Sequence, residues 1–222
     1  SLLLIAVGPL GQVMLTTNLS GRLGSALVEY LPDTQLILLL GAMIVSLILG
    51  MGLPTPVAYI IVALALVPFM QQIGIPPLQA HFFVFYFAVF STLTPPVAVS
   101  VLAAAKLGEA TFLSTAKDAM KIALTTFIIP FAFVFSPELM LFPNVTWGTM
   151  LAVVEVVFVQ LAVSVASYGF LIRSLNGFER GVYAFVALSG FLGFTYDANF
   201  WYVAVSLFMA ISGYVFVSNK TQ

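Results

Sequence analysis

The sequence has no cysteine, one histidine and almost no charge: 7% of its 222 residues are Asp, Glu, Lys or Arg. Without cysteine there are no disulfides, no thiolate metal sites and no cysteine nucleophile. An average soluble domain carries roughly 25% charged residues, so the shortage of charge excludes an ordinary water-soluble fold. The net charge is −1, with no basic patch or basic amphipathic run, and no nucleic-acid partner is expected. A lone His81 cannot complete a metal set. There is no nucleophile triad, no phosphate-binding glycine loop and no carboxylate pair set for acid–base work, so an enzyme is not expected. The chain begins Ser1-Leu2-Leu3-Leu4 with no Met and no basic leader, which reads as part of a longer protein and not as a signal peptide.

What is abundant is apolar residue, 62% of the chain. The fold class expected is all-α, a polytopic helical membrane protein. Two apolar runs, residues 36–49 and 57–70, stand out because each is short. A span needs about 20 apolar residues, and a run of 10–14 suits a re-entrant segment or a buried helix. Between them lies Gly50-Met51-Gly52-Leu53-Pro54-Thr55-Pro56. Proline lacks an N–H and clashes with the preceding turn, and glycine loosens the backbone, so a helix stops near Gly50 and another starts near Pro56. Broken backbone at membrane depth is tolerated only where it is buried in protein or lines a wet cavity.

A second break, Ser91-Thr92-Leu93-Thr94-Pro95-Pro96, follows the aromatic run Phe82–Phe90. Residues 78–106 read as one transmembrane helix with an unwound centre, whereas residues 35–72 read as a hairpin that dips in and returns. A break frees carbonyls at the end of one half-helix and N–H groups at the start of the next. Half-helix N-termini attract anions, while unwound carbonyls and hydroxyls suit sodium. The blander reading is a pair of proline kinks whose backbone groups are satisfied by neighbours. Two Gly/Pro clusters with Ser and Thr, the first flanked by half-length helices, favour a site.

The remaining chain reads as follows. Residues 1–17 are the end of a helix broken near Gly8-Pro9 and Gly11, residues 18–31 a short interfacial helix, and Pro32-Asp33 a turn. Residues 106–121 are polar, a span opens at 122 and runs to about 141, and residues 143–146 are a loop. Spans then cover 147–172, 181–194 and 200–217. This divides the chain into residues 1–142, with hairpin 35–72, broken helix 78–106 and helix 119–141, and a three-helix extension, 143–222. Lys106, Lys117, Lys121, Arg173, Arg180 and Lys220 all fall on one side of this topology, and the loops at 71–77, 137–147 and 195–199 carry no Lys or Arg. Basic residues concentrate in cytoplasmic loops, so the hairpin mouth is expected outside and the C-terminus inside. Arg22 is not explained by this pattern.

The run Leu49-Gly50-Met51-Gly52-Leu53-Pro54-Thr55, then Ala80-His81-Phe82-Phe83-Val84-Phe85-Tyr86-Phe87-Ala88-Val89, then Thr94-Pro95-Pro96-Val97-Ala98 resembles the large membrane subunit of tripartite ATP-independent periplasmic (TRAP) transporters, most of all the fused permeases of the TAXI subgroup. The likeness covers residues 36–141, and Leu175-Asn176-Gly177-Phe178-Glu179-Arg180 resembles the extra helices of the fused type less specifically. It implies a permease in the bacterial cytoplasmic membrane that takes an organic acid from a periplasmic binding protein. Transport would be driven by an ion gradient, usually Na+, and would proceed by an elevator-type movement of two inverted repeats. Carried onto this chain, Gly50, Gly52, Ser91, Thr92 and Thr94 would hold the ion, and Pro54, Thr55, Thr94 and Pro95 the substrate. Only one hairpin-plus-broken-helix unit is visible, so the first repeat and the small membrane subunit, separate or fused, are expected as partners.

Glu155 lies within a span among valines. An intramembrane acid is a functional candidate by default, and it keeps proton coupling open; the competing reading is a structural, hydrogen-bonded Glu. His81 reads as structural or interfacial, and Asn144-Val145-Thr146 matches a glycosylation acceptor only weakly. Two other functions stand beside the transporter: a passive channel lined by the broken helices, and a structural membrane module.

Overall fold

The computed structural model describes residues 9, 12–13, 16–32, 34–140, 145–197 and 199–220. It is all-α: among the described residues there is no strand. The helices are α1 (Leu19–Tyr30), α2 (Gln35–Gly50), α3 (Thr55–Gln72), α4 (Pro77–Phe90), α5 (Val99–Leu107), α6 (Phe112–Thr126), α7 (Ile128–Phe135), a 3-10 turn (Pro137–Met140), α8 (Trp147–Tyr168), α9 (Gly177–Thr195) and α10 (Asn199–Lys220). Four stretches among these residues are long and apolar enough to cross a membrane: Thr55–Gln72, Phe112–Phe135, Trp147–Tyr168 and Asn199–Asn219. Gln35–Gly50 and Pro77–Phe90 are shorter apolar helices. The expected break near Gly8-Pro9 and Gly11 lies mostly outside the described residues, as do Asp33 in the first turn and Asn144 of the acceptor pattern.

Two compact units divide the chain, residues 1–120 and 121–222. In the first, α3 is the central element and packs against α1, α2 and α4. Its burial follows from composition: Ala58, Val62, Ala65, Leu66 and Met70 are fully buried, and Leu38, Leu39 and Ala42 of α2 and Phe83, Val84 and Phe87 of α4, the helices it packs on, are buried too. Pro54 precedes α3 and Pro56 sits in its first turn, where a missing N–H costs nothing. Pro68 lies inside α3, which continues through it. Gln35 at the start of α2 and Gln72 at the end of α3 line one cavity, so the two helices run antiparallel, as a hairpin with residues 51–54 at its tip. Small residues allow close approach between membrane helices, and a Cβ added to Gly41 of α2 would lie 2.7 Å from Leu27 of α1.

In the second unit α9 packs on both α8 and α10. Ala162, Val186, Ala187 and Ala204 form its tight core, with Phe158, Leu207 and Phe208 around it. Inside it, the Tyr183 hydroxyl meets Ser212 Oγ at 2.8 Å. The α8–α9 connection differs from expectation. The span expected over 147–172 stops at Tyr168, because Gly169 turns the chain left-handed at φ 67°. The helix expected from 181 starts at Gly177, because Asn176 and Glu179 form a reciprocal capping box. Arg180, expected in a loop, therefore sits in the first turn of α9. It donates from Nε to Ala166 O at 3.0 Å and from Nη2 to Ser167 O at 3.2 Å, capping the end of α8.

Glu179 is 1% exposed. It accepts from Arg173 Nη2 at 2.6 Å, Arg173 Nη1 at 3.1 Å and Asn176 N at 2.9 Å. The Arg173 hydrogen bond, helped by the Asn176 backbone, holds its carboxyl below the usual value of 4.5. A carboxyl depressed in the folded state stabilises fully above its unfolded pKa, and that contribution is lost as pH falls through the folded value. Thermal melting of the purified permease is therefore expected to show a loss beginning below about pH 4.5 that Glu179→Gln lacks, the variant being less stable than wild type at pH 7.

Candidate functional site

The first break is built by a turn that helix cannot enter. Met51 N donates to Ile48 O and Leu53 N to Gly50 O, each at 3.3 Å. Gly52 lies at φ 74°, a left-handed conformation that costs other residues roughly 1–2 kcal/mol. At the start of α3, Val57 N and Ala58 N both donate to Pro54 O, at 2.9 and 3.0 Å.

In the second break α4 ends and its last carbonyls are taken up by hydroxyls. Ser91 Oγ donates to Ala88 O at 2.6 Å, Thr92 Oγ1 to Val89 O at 2.8 Å and Thr94 Oγ1 to Phe90 O at 2.8 Å. The backbone then passes through a cis Pro95–Pro96 bond to Ala98. Ser100 N donates back to Thr92 O at 3.2 Å and closes the loop. Ala98 is fully buried and caps α5 in the left-handed region, φ 39° and ψ 57°.

The two breaks meet. Gly50 is buried against Ser91: a Cβ at Gly50 would touch Ser91 Oγ, lie 2.8 Å from Ser91 Cβ and 3.4 Å from Ala88 O. A Cβ at Gly52 would lie 3.3 Å from Val97 Cγ1. Glycine at 50 is therefore required by close approach, and glycine at 52 by its φ. Ser91 is 0% exposed, Thr55, Thr92 and Thr94 are half-buried, and Gly52, Pro54 and Pro95 are exposed. The structure thus puts Gly50, Gly52 and Ser91 in one place, together with Val97, which sequence reasoning did not single out. Nor did it single out Ala98, since an alanine carries no mark of a left-handed cap; the one signal was the helix restart after Pro95-Pro96.

Chemically this junction is rich in acceptors and poor in donors. Ser91, Thr92 and Thr94 spend their hydroxyl hydrogens on carbonyls, which leaves each hydroxyl oxygen as an acceptor. The N–H groups of Ser91, Thr92, Leu93 and Thr94 are bonded within the chain, and Pro95 and Pro96 have none. At the start of α3, Pro54 and Pro56 have no N–H and Val57 and Ala58 share the Pro54 carbonyl, so that helix end offers an anion little beyond Thr55 N–H. Oxygens of this kind are ligands for a hard cation. No group of three or more His, Cys, Asp or Glu side chains that could hold a metal is present among the described residues.

Glu155 belongs to α8 in the second unit. It is half-buried. His81 Nδ1 shares a 2.9 Å hydrogen bond with the Tyr59 hydroxyl, tying α4 to α3, and Phe85 packs edge-on against Tyr59 at 5.5 Å.

A family model described as the tripartite ATP-independent periplasmic transporter, DctM component, matches residues 1–147. That stretch contains both breaks. No curated protein and no solved structure matches the chain.

Proposed function

The chain belongs to the DctM-component family of tripartite ATP-independent periplasmic transporters, and from that premise we propose that its two breaks are the ion and solute site of a sodium-coupled carboxylate uptake system. The family is one of secondary-transporter permease components, not of enzymes. It implies a multi-pass inner-membrane protein that works with a periplasmic binding protein and a small membrane subunit.

The observation that carries the proposal is the packing of Gly50 on Ser91, with the hydroxyls of Ser91, Thr92 and Thr94 turned onto carbonyls. Gly50, Gly52, Ser91, Thr92 and Thr94 supply backbone and hydroxyl oxygens at the junction, and Na+ is the hard, monovalent cation such a neutral oxygen set fits. The substrate is an organic acid, held beside the ion by Pro54, Thr55, Thr94 and Pro95. Thr55 supplies a hydroxyl and an N–H, and the bound cation supplies the attraction that this proline-rich, donor-poor junction cannot. Glu155 stands apart as the group for proton coupling should sodium fail.

In the same reading the hairpin α2–α3 is re-entrant with its mouth outside, the C-terminus is cytoplasmic and residues 143–222 are the extension of a fused, TAXI-type permease. A first repeat completes an elevator-type carrier. Uptake of carboxylates by vesicles containing the full permease and its binding protein, under imposed sodium or proton gradients, tests this. Uptake is expected only with the binding protein and an inward sodium gradient. Ion current without solute would identify a channel instead, and uptake driven by protons alone would move the coupling role to Glu155.

A further inference from the structure

At the end of the hairpin away from its tip, α1 and the far ends of α2 and α3 surround an open cavity of about 920 Å3. Its apolar surface is Val28 of α1, 48% exposed, and the half-buried Ile73 that follows α3. Leu38 and Phe69, each 2% exposed, back it, and Gly24 of α1 lies so close to Phe69 that a Cβ there would be 2.9 Å from the ring. Its rim is polar: Ser25 and Glu29, four residues apart on one face of α1, Gln35 at the start of α2 and Gln72 at the end of α3 are all exposed. Among the described residues no Lys or Arg lines the cavity and Glu29 is in no ion pair.

Among the described lining residues, one carboxylate beside an apolar shelf, flanked by two amides and a hydroxyl, matches one kind of guest. Arg and Lys lay an aliphatic stem along apolar surface and hold a charged head in a wetter place; Arg in addition offers several N–H donors for carboxylate and amide oxygens. A small solute is a poorer fit, because solute pockets bury most of their ligand and here all four polar groups stand on an exposed rim. We infer that this cavity is a docking socket for an Arg or Lys side chain projecting from a soluble protein partner. Glu29 accepts its charge, the oxygens of Gln35 and Gln72 flank it, and Val28 and Ile73 support its stem.

The socket rests on the proposed reading in one respect: the soluble partner is the periplasmic binding protein, and this end of the hairpin faces it. It adds a location and a chemistry that the junction of the breaks does not involve. The test is affinity of the binding protein that supports uptake for the full permease in nanodiscs, measured across a salt series. Glu29→Lys is expected to weaken binding by about tenfold or more at low salt and to flatten its salt dependence, since charges of this kind act on encounter and orientation. Glu29→Gln is expected to weaken it less. Changing one Arg or Lys of the binding protein to Glu is expected to restore binding to Glu29→Lys, and a photo-crosslinker at Gln72 is expected to capture that protein. Unchanged affinity and salt dependence in Glu29→Lys, with uptake still requiring the binding protein, would overturn the socket and leave the functional reading standing. Crosslinking from Gln72 only to lipid or to a second permease would also overturn it. Uptake that needs no binding protein would overturn both.

Discussion

Gly50→Ala is expected to reduce uptake by about ten- to a hundredfold, and Gly50→Val to abolish it. The position is closed on every side that matters. A Cβ there would touch Ser91 Oγ and lie 2.8 Å from Ser91 Cβ. Ser91 cannot swing away at low cost, because its hydroxyl is held by Ala88 O at 2.6 Å and the residue is 0% exposed. Ala88 O itself is only 3.4 Å from the added carbon. Inserting a methyl into such a contact typically costs about 1–3 kcal/mol, and each 1.4 kcal/mol is about a factor of ten in an equilibrium. The strain would part the two breaks, so uptake should fall more than thermal stability does. The double variant Gly50→Ala/Ser91→Gly removes the side chain that the new methyl meets and is expected to recover much of the activity, a coupling of the kind contacting residues show. Gly181→Ala is the control, because nothing lies within 4 Å of a Cβ there. Uptake by Gly50→Ala equal to wild type would mean that the breaks need not stay in contact for transport.

Thr92→Val and Thr94→Val are expected to raise the half-saturating sodium concentration by about tenfold or more together, with little change in folding. Valine keeps the shape of threonine and removes the oxygen. The structural loss is modest: Val89 O still accepts Thr92 N–H at 3.2 Å and Phe90 O still accepts Leu93 N–H at 3.0 Å, and one intramolecular hydrogen bond is worth about 1 kcal/mol net. An ion loses more, because valine offers no oxygen in place of the ligand removed. Thr92→Ser and Thr94→Ser should restore sodium dependence, which separates loss of a ligand from loss of a methyl contact. Sodium titrations of uptake that superimpose for wild type and the double valine variant would remove these hydroxyls from the ion site.

Both breaks could be placed from the sequence to within a residue or two because their causes are local. Pro54 and Pro56 cannot continue α2, and Pro95-Pro96 cannot continue α4, whatever surrounds them. The all-α membrane class was equally legible, from the near absence of charge. The end of α8 was not: a run of apolar residues continues to Ile172, and only the left-handed turn at Gly169 and the Asn176–Glu179 capping box show where helix stops and restarts. Arg180 illustrates the cost of reading side chains by charge alone. Its charge places it in a loop, whereas it is helical and spends its guanidinium on the carbonyl ends of α8.

The character of the junction depended on contacts the sequence does not encode position by position. That Gly50, rather than Gly52, carries the close approach follows from where α4 runs relative to α2, and the partner Val97 became visible only there. The sequence leaves the breaks open to a cation, an anion or both; the hydrogen bonds of Val57 and Ala58 to Pro54 O leave the start of α3 with Thr55 N–H as its donor, and the hydroxyls of the second break face carbonyls. By itself the sequence determined that helices must stop at Gly50 and Ser91, because proline and glycine act on their own backbone. Only the tertiary structure decided that the two stops lie against each other and present oxygen lone pairs, because that arrangement depends on which helix faces pack and on where each hydroxyl finds its nearest acceptor.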